Sequence, residues 1–286
     1  MELIANYKCT TGEGPLWHNS EKVLYWVDIP NGHLFRYDPT NNTHGRVFTG
    51  PPGSAIGGFT IQEDDTLLFF MERGRIVRWA NGEIQTIIQE VDGEEDSRFN
   101  DVIAAPNGTV FCGTMPTDSH PGALYHLNLE GEITKVIDDV GISNGLGFST
   151  DETVMYFTDS TARKIYAFDF DCDTSTISNG RTLIETPDDG TIPDGMTVDS
   201  EDHIWSARWD GYSLYRYNPT GGMEEKITFS TKKVSCPTFG GSDYNDLYVT
   251  TAGGHDTEEN GNLAGALFKL NVGVRGKPEY LSKIAI

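Results

Sequence analysis

Short apolar runs return along the chain at a nearly constant interval: "LYWVDI" at 24, "LLFFME" at 67, "VFCGTM" at 110, "MYFTDS" at 155, "IWSARW" at 204 and "LYVTTA" at 247. The steps between them are 43, 43, 45, 49 and 43 residues. Most runs are followed by a loop and a second run, such as "HLFRYDP", "KIYAFDFD" and "SLYRYNP". These are rich in β-branched and aromatic residues, partly alternate, and several end in turn formers, which predicts strands. A further short stretch precedes each first run, as in "PLWHNSEK", "VIAAPNGT" and "LGFSTDET". Each unit therefore supplies at least three antiparallel strands. A fourth fits in the remaining segments, among them "GRVFTG", "EIQTIIQ" and "RTLIET". Four strands at this period predict a propeller blade. Helical periodicity is missing. Six units span nearly the whole chain, so the expectation is an all-β protein: one six-bladed β-propeller domain over residues 1–286, with four-stranded antiparallel blades around a central channel. The leading "ELIANYKC" is expected to join the last blade and close the ring, removing free edges.

The repeat register also locates a site. Ten or eleven residues before each apolar run stand Glu13, Ile56, Asn100, Asn144, Asp194 and Cys236. A small or turn-forming residue follows each: Gly14, Gly57, Asp101, Gly145, Gly195 and Pro237. The first strand of a propeller blade lines the channel, so these positions form a ring at one end of it. Asn and Gly are poor strand formers, and their pairing here marks a ring instead of an ordinary strand interior. Four of the ring residues offer side-chain oxygens. Two carboxylates and two amides aimed at one point repel or go unsatisfied unless a cation joins them. Hard oxygen donors favour Ca²⁺, Mg²⁺ or Mn²⁺ over structural Zn²⁺, with Zn²⁺ or Fe²⁺ at open positions as further options. Arg98 lies at the same rim and suits substrate oxygens. The loops "PTDSHPG" (116–122), "STAR" (160–163), "WDGY" (209–212) and "GGHDTEENGNLAG" (253–265) open on the ring end.

Composition narrows the partners. With 43 Asp plus Glu against 21 Lys plus Arg, the formal net charge is −22, a surface that repels nucleic acid and anionic lipid. The charges are spread along the chain, as on an ordinary acidic enzyme or, the favoured reading, one adapted to high salt. No apolar run approaches the roughly 18 residues of a membrane span, and the start carries no secretory pattern. A cytoplasmic protein is expected, monomeric or weakly homo-oligomeric. The four cysteines form no C-x-x-C pair and read as reduced, mostly buried thiols. Of the seven histidines, only His120 and His255 fall on ring-end loops, where they read as rim.

The motifs "EGPLWH…LYWVDI", "SRFNDV", "GTM", "ISNGLGFS", "IPDGMTVD" and "LYVTTA", in this order, resemble the family of senescence marker protein (regucalcin), gluconolactonase and luciferin-regenerating enzyme. The resemblance covers the chain nearly end to end. It implies a six-bladed propeller with one divalent metal in the channel, and hydrolysis of sugar lactones. On the family's pattern Glu13, Asn144 and Asp194 would be metal ligands, and Arg98 and Asn100 would contact substrate. The segment after "GTM" is short, with Asp118 near the place where relatives carry an acidic substrate contact. The expected activity is thus a metal-dependent lactonase acting on a small sugar lactone, the metal polarising the carbonyl and Asp194 doubling as general base. Two other readings of the same ring are a calcium-binding or ligand-sensing propeller without turnover, and an organophosphate or aryl-ester hydrolase.

Overall fold

Six four-stranded antiparallel sheets follow one another along the chain in the computed structural model, which describes residues 1–285. Blade I comprises Gly12–His18, Val23–Asp28, His33–Asp38 and Thr43–Thr49. Blade II comprises Ile56–Ile61, Leu67–Met71, Ile76–Ala80 and Glu83–Ile88. Blade III comprises Phe99–Ala104, Val110–Thr114, Gly122–Leu127 and Ile133–Val140. Blade IV comprises Ser143–Phe148, Val154–Asp159, Lys164–Asp171 and Thr176–Glu185, and blade V Ile192–Val198, Ile204–Trp209, Ser213–Tyr217 and Met223–Thr228. Blade VI takes three strands from the end of the chain, Lys233–Gly240, Asp246–Ala252 and Ala266–Leu270, and its fourth, Glu2–Asn6, from the beginning. The architecture is the six-bladed β-propeller that the repeat predicts, including the closure by the N-terminal strand.

Burial explains why these segments pack as they do. The first two strands of each blade are almost wholly buried, whereas the fourth strands of blades I and II are mostly exposed. Apolar clusters lie between neighbouring sheets. One joins Val23, Val27 and Leu34 of blade I to Phe59, Leu67 and Phe69 of blade II; another joins Trp205 and Leu214 of blade V to Phe239, Leu247 and Phe268 of blade VI. Each sheet is buried on both faces near the axis, so its inner strands read as continuous apolar runs and its outer ones do not.

The ring is closed by pairing as well as by packing. Glu2–Asn6 runs antiparallel to Ala266–Leu270 and buries Ile4 and Ala5. Burying an isoleucine contributes about 1.5–3 kcal/mol, and removing the strand also bares a sheet edge. Deleting residues 1–6 is therefore expected to lower the melting temperature by roughly 4–10 °C for a chain of this size and to produce oligomers. Thermal melts and size-exclusion chromatography check both.

The C-terminal segment runs across the end of the propeller opposite the ring. The Arg275 carbonyl accepts from Ser200 in blade V, Ser282 pairs with Ile61 and Glu63 in blade II, and Lys283 and Ala285 donate to Gly108 and Leu129 in blade III. Glu279 accepts a hydrogen bond from Thr197 Oγ1 at 3.0 Å. With Gly276 donating to the Tyr244 carbonyl in blade VI and Tyr280 to Glu152 in blade IV, the strap ties five blades together and roofs that mouth of the channel. Among the described residues no helix is long and apolar enough to cross a membrane.

Candidate functional site

Every innermost strand carries a register irregularity at the same level. The shifts fall between Glu13 and Leu16, Ile56 and Gly58, Phe99 and Val102, Asn144 and Leu146, Pro193 and Met196, and Val234 and Cys236. A bulge re-aims side chains that a regular strand would alternate. It lets consecutive residues, such as Asn100 and Asp101, both face the axis: Asn100 lines one axial cavity and Asp101 the next.

The glycines make room for this crowding. A Cβ on Gly57 would stand 2.0 Å from the Phe99 carbonyl oxygen, one on Gly145 2.6 Å from the Asp194 carbonyl oxygen, and one on Gly195 2.5 Å from Cys236 Sγ. Gly14 differs: its φ of +52° is the left-handed region, and its N–H donates to its neighbour Glu13 Oε2 at 2.9 Å.

On the ring end lies a cavity of about 290 Å³. Glu13, Asn100, Asn144 and Asp194 line it with Arg98, and Thr11, Met115, Ile142, Ile192 and Trp209 complete its lining. Five of the six residues proposed from sequence therefore share one chamber. The sixth, Asp118, is exposed on the loop beyond Met115 and is not among the lining residues. Of the other two ring positions, Ile56 is packed in the core between blades I and II, and Cys236 lines a smaller axial cavity of about 50 Å³ below.

A hydrogen-bonded chain fixes the polar floor. Arg98 Nη1 donates to Asn100 Oδ1 at 2.8 Å and to the Phe99 carbonyl at 2.9 Å. Asn100 Nδ2 donates to Asn144 Oδ1 at 3.2 Å and to the Ser143 carbonyl at 2.9 Å. Asn144 Nδ2 donates to Ser160 Oγ at 2.9 Å, and Ser160 donates to the Pro193 carbonyl at 2.6 Å. The chain crosses blades III, IV and V and sets both amides, so that Asn144 Oδ1 and the Glu13 and Asp194 carboxylates remain as acceptors on the floor.

Those carboxylates are under electrostatic stress. Asp194 Oδ2 is buried with no hydrogen-bond partner among the described residues. Burial, and then the charge of Asp101, hold the Asp194 carboxyl well above the usual range, against the pull of Asn144, the Gly195 N–H and Lys233. Burial first, then Asp194 and Asp101, do the same to Glu13, opposed by the Gly14 N–H and the Cys236 thiol. Asp101 is pushed up to about 7 by burial, with Arg98 drawing it down. Burial also lowers Arg98, to about 10. Of the nearby cations, Arg98 feels the charges of Glu13 and Asp101, while Lys233 is the one that draws on Asp194.

This arrangement fits a divalent cation. The donors are two carboxylates and an amide oxygen, hard ligands of the kind Ca²⁺, Mg²⁺ and Mn²⁺ take. Among the described residues no three His, Cys, Asp or Glu side chains group as a metal site, so an ion here would rest on the amide as well as the acids. A dication held here would relieve like-charge repulsion and give the orphaned Asp194 oxygen a partner.

Sequence reasoning passed over two residues. Asp101 was read only as a turn former, yet it is the one ring-following position with a carboxylate where most blades have glycine. That contrast is the signal that could have found it. Trp209 lies in the segment assigned to a pocket loop. Its ring is a cavity wall, pinned by Lys233 Nζ 4.6 Å from its centre.

Known proteins resemble this chain over nearly its whole length. The family model described as "SMP-30/Gluconolactonase/LRE-like region" matches residues 11–253. The pentonolactonase XacC of Haloferax volcanii is 44% identical over 290 residues, which cover 99% of this chain and 98% of that protein. Regucalcin of Danio rerio is 35% identical over 98% of this chain and 97% of its own. A solved luciferin-regenerating enzyme superposes with a TM-score of 0.90 at 27% identity, covering 99% of both chains.

Proposed function

The chain belongs to the SMP-30/gluconolactonase/LRE-like family, and from that premise we propose that it is a divalent-metal-dependent lactonase opening sugar lactones to aldonic acids. The observation that carries the reading is the convergence of Glu13, Asn144 and Asp194 on one cavity floor, with a buried Asp194 oxygen that no donor among the described residues satisfies. The 44% identity to a pentonolactonase over nearly the full length supports the substrate class.

Glu13, Asn144 and Asp194 would hold the cation. When bound, it supplies Lewis-acid stabilisation of negative charge on a carbonyl oxygen. Arg98, locked to Asn100, offers its Nη2 to substrate hydroxyls and Asn100 offers Oδ1 as an acceptor, and such positioning supplies several kcal/mol of the barrier. Asp194 accepts the proton of the attacking water as general base. Water adds to the carbonyl carbon, the ring C–O bond breaks, and the proton ends on the departing ring oxygen, leaving a hydroxy acid. Asp118, on the exposed loop beyond Met115, is proposed as a rim contact for hydroxyls farther out.

Acid release from glucono-, xylono-, galactono- and arabinolactone, each with several metals, tests the reading. Rates no higher than the spontaneous ones on every lactone and metal would leave only a binding protein. Met115, Ile142, Ile192 and Trp209 give the chamber an apolar wall and favour a second reading, aryl-ester or organophosphate hydrolysis at the same floor. An aryl acetate turned over faster than every lactone would select it.

Metal binding itself is expected to show in stability. A ligand held only by the folded state at about 100 times its dissociation constant adds roughly 2.7 kcal/mol. Metal-stripped protein should therefore melt several degrees lower than protein with Ca²⁺, Mg²⁺, Mn²⁺, Zn²⁺ or Fe²⁺, whichever binds. Glu13→Ala should lose that increment. An unchanged metal-induced shift in Glu13→Ala would remove Glu13 from the ligand set.

A further inference from the structure

Arg208 breaks the pattern of its blade. In blades I and IV the residue facing the position before the ring is aspartate: Asp28 pairs with Gly12, and Asp159 with Ser143. Each carboxylate closes the loop that leads into the inner strand. Asp28 accepts from the N–H groups of Thr10 and Thr11, and Asp159 from those of Gly141 and Ile142. In blade V the same place, opposite Pro193, is Arg208. Its loop is capped differently, by Asp189 Oδ1, which accepts from the Thr191 N–H at 3.1 Å and from Thr191 Oγ1 at 2.6 Å.

Among the described residues the guanidinium has no counter-charge in contact. Arg208 is 3% exposed. Its Nη2 donates to the Tyr217 hydroxyl at 2.7 Å, it stands 4.7 Å from the centre of the Tyr215 ring, and Nη1 finds no acceptor among the described residues. Burying a cation without a partner is costly. Arg208 also lines a cavity of about 460 Å³ between the outer strand of blade IV and the face of blade V. Leu183, Ile184, Pro187 and Met223 give that cavity apolar walls, and Glu185 and Asp189 stand at its edge.

We propose that this cavity is a second binding site, for a small organic carboxylate whose charge meets Arg208 and whose carbon skeleton lies against the apolar walls. A guanidinium is the side chain suited to a carboxylate. The volume lies within the range of small-molecule sites. The apolar walls favour an organic acid over an inorganic ion, and the acidic edge disfavours a dianion. The site adjoins the ring chamber through two pairs of consecutive residues. Thr191 and Arg208 line this cavity, while Ile192 and Trp209 line the other. An occupant here bears on the wall of the ring chamber.

Isothermal titration at constant ionic strength, with KCl as balancing salt, tests the proposal using sodium valerate and sodium gluconate as probes. Wild type and Asp194→Asn should bind at least one of them with equal affinity, because the ring chamber is not involved. Arg208→Gln should bind it at least tenfold more weakly. Asp189→Asn, which removes a repelling charge, should bind it several-fold more tightly, a gain that misfolding does not produce. Binding of valerate alone identifies an apolar acid as the ligand; binding of gluconate alone identifies a hydroxylated one, the class that lactone opening releases. No heat with either probe in both wild type and Asp189→Asn would overturn the proposal. Binding that survives Arg208→Gln and disappears in Asp194→Asn would overturn it too, by placing the probe in the ring chamber.

Discussion

Asp194→Asn is expected to lower kcat on a lactone substrate by about 10²–10⁴-fold while making the metal-free protein more stable. The two effects share one cause. Asp194 is buried beside Glu13 and Asp101, and one of its oxygens has no donor among the described residues. In the metal-free protein that oxygen carries a desolvation cost of about 1–3 kcal/mol. Asparagine keeps the shape, removes the charge and relieves the repulsion that raises Glu13. Urea unfolding after metal stripping should give a higher midpoint for the variant, and metal should then stabilise it less than wild type. Activity and stability would move in opposite directions, as they do where a site is strained for its task. A variant that unfolds earlier than wild type without metal would show that the ring carboxylate is stabilising, and would remove the electrostatic case for a cation. Full retained activity would remove Asp194 from the chemistry.

How much of this was legible in the sequence follows from burial. The inner strands are buried on both faces, so runs such as "LYWVDI" and "MYFTDS" stand out and fix the period. Fourth strands such as Thr43–Thr49 and Met223–Thr228 are mostly exposed and carry polar sequence, so their pattern is weak. The ring was legible because glycine after an acid or amide is unusual inside a strand, and Gly145 and Gly195 are there to let adjacent backbones meet. The bulges were not legible. Without them Asn100 and Asp101 would face opposite sides of a sheet, which is why Asp101 read as a turn former. Arg208 was invisible for another reason. Its strangeness lies in what it fails to contact, and in the aspartates that occupy its register in blades I and IV. Asp118 came only from the family resemblance, and its exposed position leaves its contact with substrate to be measured.

Gly145→Ala is expected to damage stability and activity together, the opposite of Asp194→Asn. The added Cβ would stand 2.6 Å from the Asp194 carbonyl oxygen, 2.9 Å from the Met196 nitrogen and 3.0 Å from Thr158 Oγ1. Two of these three are backbone atoms of blade V, so no side-chain rotation relieves the contact. Blades IV and V must separate, and the closed ring transmits that movement to its other interfaces. Overpacking a buried site costs about 1–3 kcal/mol, occasionally more, and a methyl against backbone belongs at the upper end. The same movement draws Asn144 away from Asp194 and loosens the bond from Ser160 to the Pro193 carbonyl, so a cation held by the proposed ligands would lose one at its proper distance. A misplacement of about 1 Å can cost 10²-fold in rate. Gly45→Ala is the control: nothing among the described residues lies within 4 Å of its Cβ and its φ is not positive, so the change should be neutral or slightly stabilising. Melting temperature, lactone turnover and metal titration on the two variants separate the cases. Gly145→Ala retaining wild-type stability would mean that the inner strands are not held at the spacing on which the shared floor depends.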